Sequence, residues 1–254
     1  MKLKKKIVAL STILGLLVSI FSPFSVYAAE TTDVDTILHN HGVPEKIINI
    51  MPEKQKLELV NAEEFSFIGE TTVQSTMEKP SGIAPRGTIS SSELSLTGYG
   101  FMYTSGGKKL ASISAYYNWI KAPTWYLTDQ IGLTWDSTYY ESVPGEHWIC
   151  WQHQNLDGTH LTTTTSYDAR ELSKDSVIFD VDMKANYTNF GVATITLQLK
   201  SGKTEPSSSF FYFKYAHDKI LPNIGLSISD TGAGISISGS IYTDGLASSA
   251  SFSR

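Results

Sequence analysis

The stretch Leu94–Trp119, LSLTGYGFMYTSGGKKLASISAYYNW, decides how the chain folds. Leu94 and Leu96, then Tyr99, Phe101 and Tyr103, alternate with small or polar residues. That is the period of a strand, whose successive side chains point to opposite faces. Gly106-Gly107 reads as a hairpin turn, and Leu110, Ile113, Ala115, Tyr117 and Trp119 follow on the return strand.

The same period continues downstream. Ile131, Leu133 and Trp135 mark a further strand, as do Val177, Phe179, Val181 and Met183. Val192, Ile195, Leu197 and Leu199 mark the next, and Phe211, Phe213 and Tyr215 another. In the tail, Leu226, Ile228, Ile235, Ile237 and Ile241 alternate with Ser. Short strands separated by Gly, Asp and Asn, with no long helical run, predict a mainly β chain with an antiparallel sandwich or barrel-like core.

Upstream the period changes. Over Asp33 to Asn61, Val34, Ile37 and Leu38 lie on one helix face, which His41-Gly42-Val43-Pro44 ends. Pro44-Glu45 and Pro52-Glu53 each start a new turn, with the acidic residue near the positive helix N-terminus. Ser75–Ser92 holds Pro80, Gly82, Pro85 and Gly87 with little apolar content, the composition of a linker. Arg86 within it is a candidate site for an extracellular protease. The expected organisation is a signal peptide over 1–28, a short helical N-terminal segment over 29–74, a linker over 75–92 and an antiparallel β domain over 93–254.

The signal peptide is read from its three parts. Lys2, Lys4, Lys5 and Lys6 precede an apolar run from Ile7 to Phe24, and Val26-Tyr27-Ala28 fits a cleavage site. That layout directs the chain out of the cell, with cleavage near Ala28. The remaining chain carries 16 Lys and Arg against 25 Asp and Glu, a net charge of −9. Such an acidic protein has no electrostatic reason to bind nucleic acid, and no stable membrane insertion is expected of the mature chain. Cys150, the only cysteine, forms no internal disulfide, and Trp148-Ile149-Cys150-Trp151 suits a buried thiol. Leu221-Pro222-Asn223-Ile224-Gly225 departs from a wall-sorting signal by carrying Ile where Thr is required, and no membrane span follows it.

All five tryptophans fall between Trp119 and Trp151, interleaved with tyrosines. Neighbours such as Trp148 and Ile149, or Tyr139 and Tyr140, cannot share a strand face, so some of these rings are expected outside the core. Trp119, Trp125, Tyr126, Trp135, Tyr139, Trp148 and Trp151 are therefore the candidate binding residues, stacking on sugar rings or anchoring a partner at the cell surface. His153 and His160 flank Asn155-Leu156-Asp157-Gly158. A four-residue turn there would set the two histidines opposite each other, whereas an Asp157-Gly158 turn would set His160 against Asn155. No third ligand is evident, and neither metal nor cofactor is expected. Asp230-Thr231-Gly232-Ala233 matches an aspartic-protease string, but too little chain follows it for the second lobe, and a tight turn explains it. No catalytic residue is identified.

Gly42-Val43-Pro44-Glu45-Lys46-Ile47-Ile48, followed by Met51-Pro52 and Gln55-Lys56, resembles a segment of uncharacterised exported proteins of Bacillus-type Gram-positive bacteria. Tyr117-Asn118-Trp119, Pro123, Asp129 and Ile131 to Asp136 are similar to β-rich regions of the same proteins. The resemblance covers about half of the mature chain. It implies a secreted Gram-positive protein and brings no established activity. The expected function is thus a secreted, non-enzymatic β-sandwich protein that binds an extracellular polymer or surface through an aromatic-rich face. The alternatives are a hydrolase drawing on Asp129, Asp136 and Glu141, and a membrane-active protein using its Ser/Ile C-terminal hairpins.

Overall fold

Proline sets the helical part. The computed structural model describes residues 33–72, 89–90, 92–123, 128–218, 225–228, 235–238 and 243–253. Helix α1 (Val34–Asn40) stops before Gly42, whose φ of 80° no other residue adopts as readily. Pro44 and Pro52 then stand immediately before α2 (Glu45–Ile48) and α3 (Glu53–Val60), and the glutamates open the first turns. The signal-peptide stretch lies outside the described residues, as do the Asp230–Ala233 string and all of the wall-sorting stretch but Gly225. Among the described residues no helix is long and apolar enough to cross a membrane.

Strands account for the rest. They are β1 (Glu64–Thr72), β2 (Leu94–Ser105), β3 (Lys108–Trp119), β4 (Asp129–Trp135), β5 (Tyr140–Asn155), β6 (Leu161–Ser166) and β7 (Glu171–Leu172). After these come β8 (Ser176–Val181), β9 (Tyr187–Leu199), β10 (Ser208–Asp218), β11 (Gly225–Ile228), β12 (Ile235–Ser238) and β13 (Thr243–Ser253). All pairings are antiparallel. One sheet runs β1-β2-β3-β9-β5-β6, a second runs β13-β10-β4-β8-β7, and β11 pairs with β12 alone. The chain is a mainly β protein with a sandwich-like core and short helices on its N-terminal side.

The expected hairpin is present: Gly106 and Gly107, at φ 57° and 70°, join β2 to β3 in unbroken register. One expectation needs correction. Residues 64–72, assigned to the helical segment, form β1, an edge strand paired with β2. Phe65, Phe67 and the run of Thr at its end favour an extended pleat over a helix. Most of the proposed linker lies outside the described residues, but Ile89 within it is buried in the main core.

That core fills the space between the two large sheets. Leu96, Ile113, Ala115, Tyr117 and Ile195 of the six-stranded sheet meet Leu133, Phe179, Phe211, Phe213 and Tyr215 of the other. At Gly98 a Cβ would stand 2.2 Å from the ring of Phe213, so only glycine lets the sheets approach this closely. Beyond Gly98 the apolar positions of β2 change parity. Tyr99, Phe101 and Tyr103 point the other way and form a second core with Val192 and with Leu38, Val43, Ile47, Ile48, Met51 and Leu59 of the helical layer. The six-stranded sheet is therefore covered on both faces.

Candidate functional site

Double coverage decides where the aromatic residues go. Trp119, Trp135 and Trp148 are 5%, 4% and 2% exposed, so none offers a ring face to solvent. Trp148 and Ile149 do point to opposite faces, yet both are buried, because both faces of the sheet are covered; Ile149 lies in the main core. Lys54 of α3 lies 5.3 Å from the Trp148 ring centroid and 4.6 Å from that of Tyr167, sealing the edge of the helical layer. Trp151 and Tyr139 are half-buried and pack against the main core. Trp125 and Tyr126 lie outside the described residues. The expected aromatic face is thus not assembled by Trp119, Trp135 and Trp148, which hold the protein together instead.

The carboxylates considered for hydrolysis are also dispersed. Asp129 opens β4 and is fully buried. Its Oδ1 lies 2.8 Å from Nδ1 of His217, and its Oδ2 accepts the Tyr215 hydroxyl at 2.7 Å. Trp119 Nε1 donates to that same hydroxyl at 3.0 Å. Burial, and then the Asp129 charge, pushes the Tyr215 phenol well above its ordinary range. This is a buried network that locks two sheets together. Asp136 lies at the far end of the same strand, about 20 Å away at the rise of an extended chain. It caps a turn by accepting the Thr138 N–H at 2.9 Å, while Glu141 accepts from Gln198 at 2.8 Å. A glycosidase pair needs a separation of about 5 to 9.5 Å, which Asp129 and Asp136 do not approach.

The histidines resolve by register. His153 pairs with Thr162, and Asn155 N–H donates to the His160 carbonyl at 2.9 Å, so His160 stands against Asn155 and not against His153. His153 is buried and held by Asn189. The Asn189 amide nitrogen donates to the Lys184 and Tyr187 carbonyls. Its oxygen therefore accepts from the Lys184 N–H and from His153 Nδ1. Among the described residues no three of His, Cys, Asp and Glu are placed to hold a metal ion. Cys150 is buried, and burial pushes its thiol up, away from the reactive thiolate. Strands β11 and β12 span four residues each. A membrane-crossing strand needs about nine to eleven; β13 has eleven, but it pairs along its whole length with β10 in the five-stranded sheet.

One part of the molecule keeps polar groups within reach of solvent. The helices cover the six-stranded sheet over Tyr99, Phe101 and Tyr103, but the rows beyond Tyr116 differ. The registers place Ser95, Asn118, Phe190, Gln152 and Thr163 side by side across β2, β3, β9, β5 and β6. All five are half-buried or exposed. Next to them Thr188, Gln154 and Leu161 form a shorter row on the same face. Gln152 donates to the Thr163 hydroxyl at 3.2 Å, which fixes the amide in the plane of the row. Phe190 belongs to neither apolar core. Tyr116, at the border with the helical layer, has its phenol pushed up to about 12 by burial. The row is neutral throughout. By contrast, a depression beside Phe65, Tyr103 and Lys109 has a volume of about 160 Å³ and is crossed by the Lys109–Glu205 ion pair at 3.2 Å. Small-molecule sites typically need about 300 Å³ or more.

Sequence reasoning missed this row because its members come from five strands far apart in the chain. One signal was present. Phe190 has the parity of Val192 and not that of Ile195 and Leu197, so it had to leave the main core. No protein-family model matches the chain, and no curated protein is similar to it. The reading of the site rests on its chemistry.

Proposed function

We propose that this chain is a secreted, non-enzymatic β-sandwich protein that binds a neutral extracellular glycan across the row Ser95–Asn118–Phe190–Gln152–Thr163. The observation that carries the reading is the composition of that row. One aromatic ring stands free of both cores, flanked by two side-chain amides and two hydroxyls, with no charge. Amides offer donors and acceptors together, as sugar hydroxyls do, and an aromatic face suits the C–H face of a pyranose ring. Four strand spacings make the row about 19 Å long, enough for several linked sugars in an extended chain. A net charge of −9 disfavours anionic polymers, and the absence of carboxylates from the row offers a cationic polymer no partner there. Export is supported by the cationic, apolar and small-residue parts of residues 1–28.

Affinity electrophoresis through gels carrying neutral plant and cell-wall polysaccharides tests the reading. The expected result is retardation by at least one neutral polymer, weakened about tenfold by Phe190→Ala and by Gln152→Ala. Passage at the same speed through every gel would overturn it, as would full retention by the Phe190→Ala variant. N-terminal sequencing of protein from culture medium is expected to begin at Ala29.

A further inference from the structure

The two large sheets end in four edge strands, and three are guarded. An open strand edge presents unpaired N–H and C=O groups, and proteins blunt it with charges, proline, bulges, brevity or a neighbour. Strand β1 is bulged between Phe67 and Gly69 and carries Glu64 and Glu70, the latter paired with Lys46. It lies beside β13, the edge of the other sheet, so those two edges shield each other. Strand β7 is two residues long and contains Glu171. Among the described residues, strand β6 has none of these devices. Leu161-Thr162-Thr163-Thr164-Thr165-Ser166 is uncharged, lacks proline, pairs with β5 without a bulge and is largely exposed.

The ladder tells which of its groups are free. Asn155 N–H bonds the His160 carbonyl, so Asn155–His160 is a hydrogen-bonded pair. Hydrogen-bonded and non-hydrogen-bonded pairs alternate along an antiparallel ladder. Gln154–Leu161, Gln152–Thr163 and Cys150–Thr165 are therefore the non-bonded pairs. Leu161, Thr163 and Thr165 direct their backbone N–H and C=O away from β5, to the open edge.

We propose that this edge pairs with a second copy of the same chain, antiparallel about a two-fold axis through Thr164. This register sets Thr164 against Thr164 and Thr163 against Thr165, so the outward-pointing backbone groups of one copy meet those of the other. Its ends supply the argument for self-pairing. In this register Leu161 comes opposite Tyr167, the residue just past the end of β6, and among the described residues these are two of the few large apolar side chains left exposed, at 48% and 54%. One position further, His160 faces Asp168, and both are exposed. Each of these contacts occurs twice, as an isologous interface requires. Shifting the two-fold axis to Thr163 would set Leu161 against Thr165 and leave Tyr167 uncovered. Thr–Thr and apolar cross-strand pairs each add to sheet stability. The two-fold axis runs perpendicular to the sheet, so the two six-stranded sheets become one of twelve strands, with like faces on the same side. The dimer does not depend on the glycan reading, although it would join the two neutral rows end to end at Thr163 and Thr165.

Sedimentation velocity over a range of concentrations tests the proposal on the purified chain. A reversible dimer is expected. Thr163→Pro and Thr165→Pro each remove an outward N–H that β5 does not use, so they should weaken the dimer at least about tenfold with the thermal transition nearly unchanged. A second test needs no proline. Thr164→Cys places two thiols across the axis and should oxidise to a covalent dimer, whereas Thr162→Cys, which faces Ser166, should not; native Cys150 is buried and does not interfere. A chain that stays monomeric at every concentration overturns the proposal. So does a dimer indifferent to both prolines, or equal cross-linking of the two cysteine variants. Phe190→Ala should leave dimerisation intact, so failure of the glycan reading and failure of the dimer are separable.

Discussion

The two faces of the six-stranded sheet are built by the same strands and held by different forces. Toward the five-stranded sheet the contacts are dry and aromatic, and the main polar feature is the Asp129–Tyr215–His217–Trp119 network. Toward the helices the face is mixed. Tyr99, Phe101 and Tyr103 alternate across the strands with buried Ser112, Ser114, Thr194 and Thr196. Gln55 of α3 reaches into them, donating to Ser112 and Ser114 at 3.3 and 2.9 Å and accepting the Tyr99 hydroxyl at 2.9 Å. Further along that face the helices stop and the neutral row begins. One face is buried against the other sheet; the other divides its length between a covered, packed part and a neutral row within reach of solvent.

The largest effect is expected where the dry face is polar. Asp129→Ala takes away the His217 partner and leaves the Tyr215 hydroxyl only the weak Met183 sulfur as acceptor, and should cost about 3–5 kcal/mol in urea unfolding. Gly98→Val drives a branched side chain into the Phe213 ring and should cost about 3 kcal/mol by the same measurement. On the mixed face, Gln55→Leu leaves Tyr99 and Ser112 unpaired at a cost of about 2 kcal/mol. Hydrogen exchange should then speed up in the helices more than in β4 and β10, and uniform loss of protection would contradict the division into two cores.

Alkali separates the faces more finely. Burial raises Tyr99, Tyr117 and Tyr215 well above 10, the value of a free phenol, and raises Tyr116 to about 12. Above pH 10 the unfolded chain has lost protons that the folded chain keeps, so stability falls as pH rises. Each fully buried phenol contributes about 1.4 kcal/mol per pH unit to that loss. Tyr116 should ionise in the folded chain, before the cooperative step that releases the others, as followed by ultraviolet absorbance. The smallest expected change in stability is that of Phe190→Ala, at or below about 1 kcal/mol, since the ring packs in neither core. A much larger loss would mean that Phe190 is structural after all.

Much of the β architecture was legible, and the reason is local. Period-two patterns in β2, β3, β4, β8 and β10, and the Gly106-Gly107 turn, each lie within a few residues of chain. What was not legible depends on coverage and register. Ser112 and Ser114 look like the solvated side of a strand until Gln55 is known to lie on them. Trp148 looks surplus to the main core because it is buried on the opposite face, under Lys54 of α3. Asn118, Phe190 and Gln152 carry no shared pattern in the sequence, for they become neighbours only when β3, β9 and β5 are set in register.

The pairing of β3 with β9 at the centre of the sheet has a kinetic consequence. The hydroxyls of Ser114 and Thr194 meet 2.9 Å apart, though 80 residues separate them in the chain. The β2–β3 hairpin closes over two glycines and can form within about 1–10 μs. The β3–β9 seam must wait for a long loop to close, with β4, β7 and β8 of the other sheet and β5 and β6 of the same sheet lying between them in the chain. Until that seam forms, the hairpin shows both of its faces to water and has no partner for its inner edge. Refolding should therefore be slow, concentration-sensitive and limited by the arrival of β9.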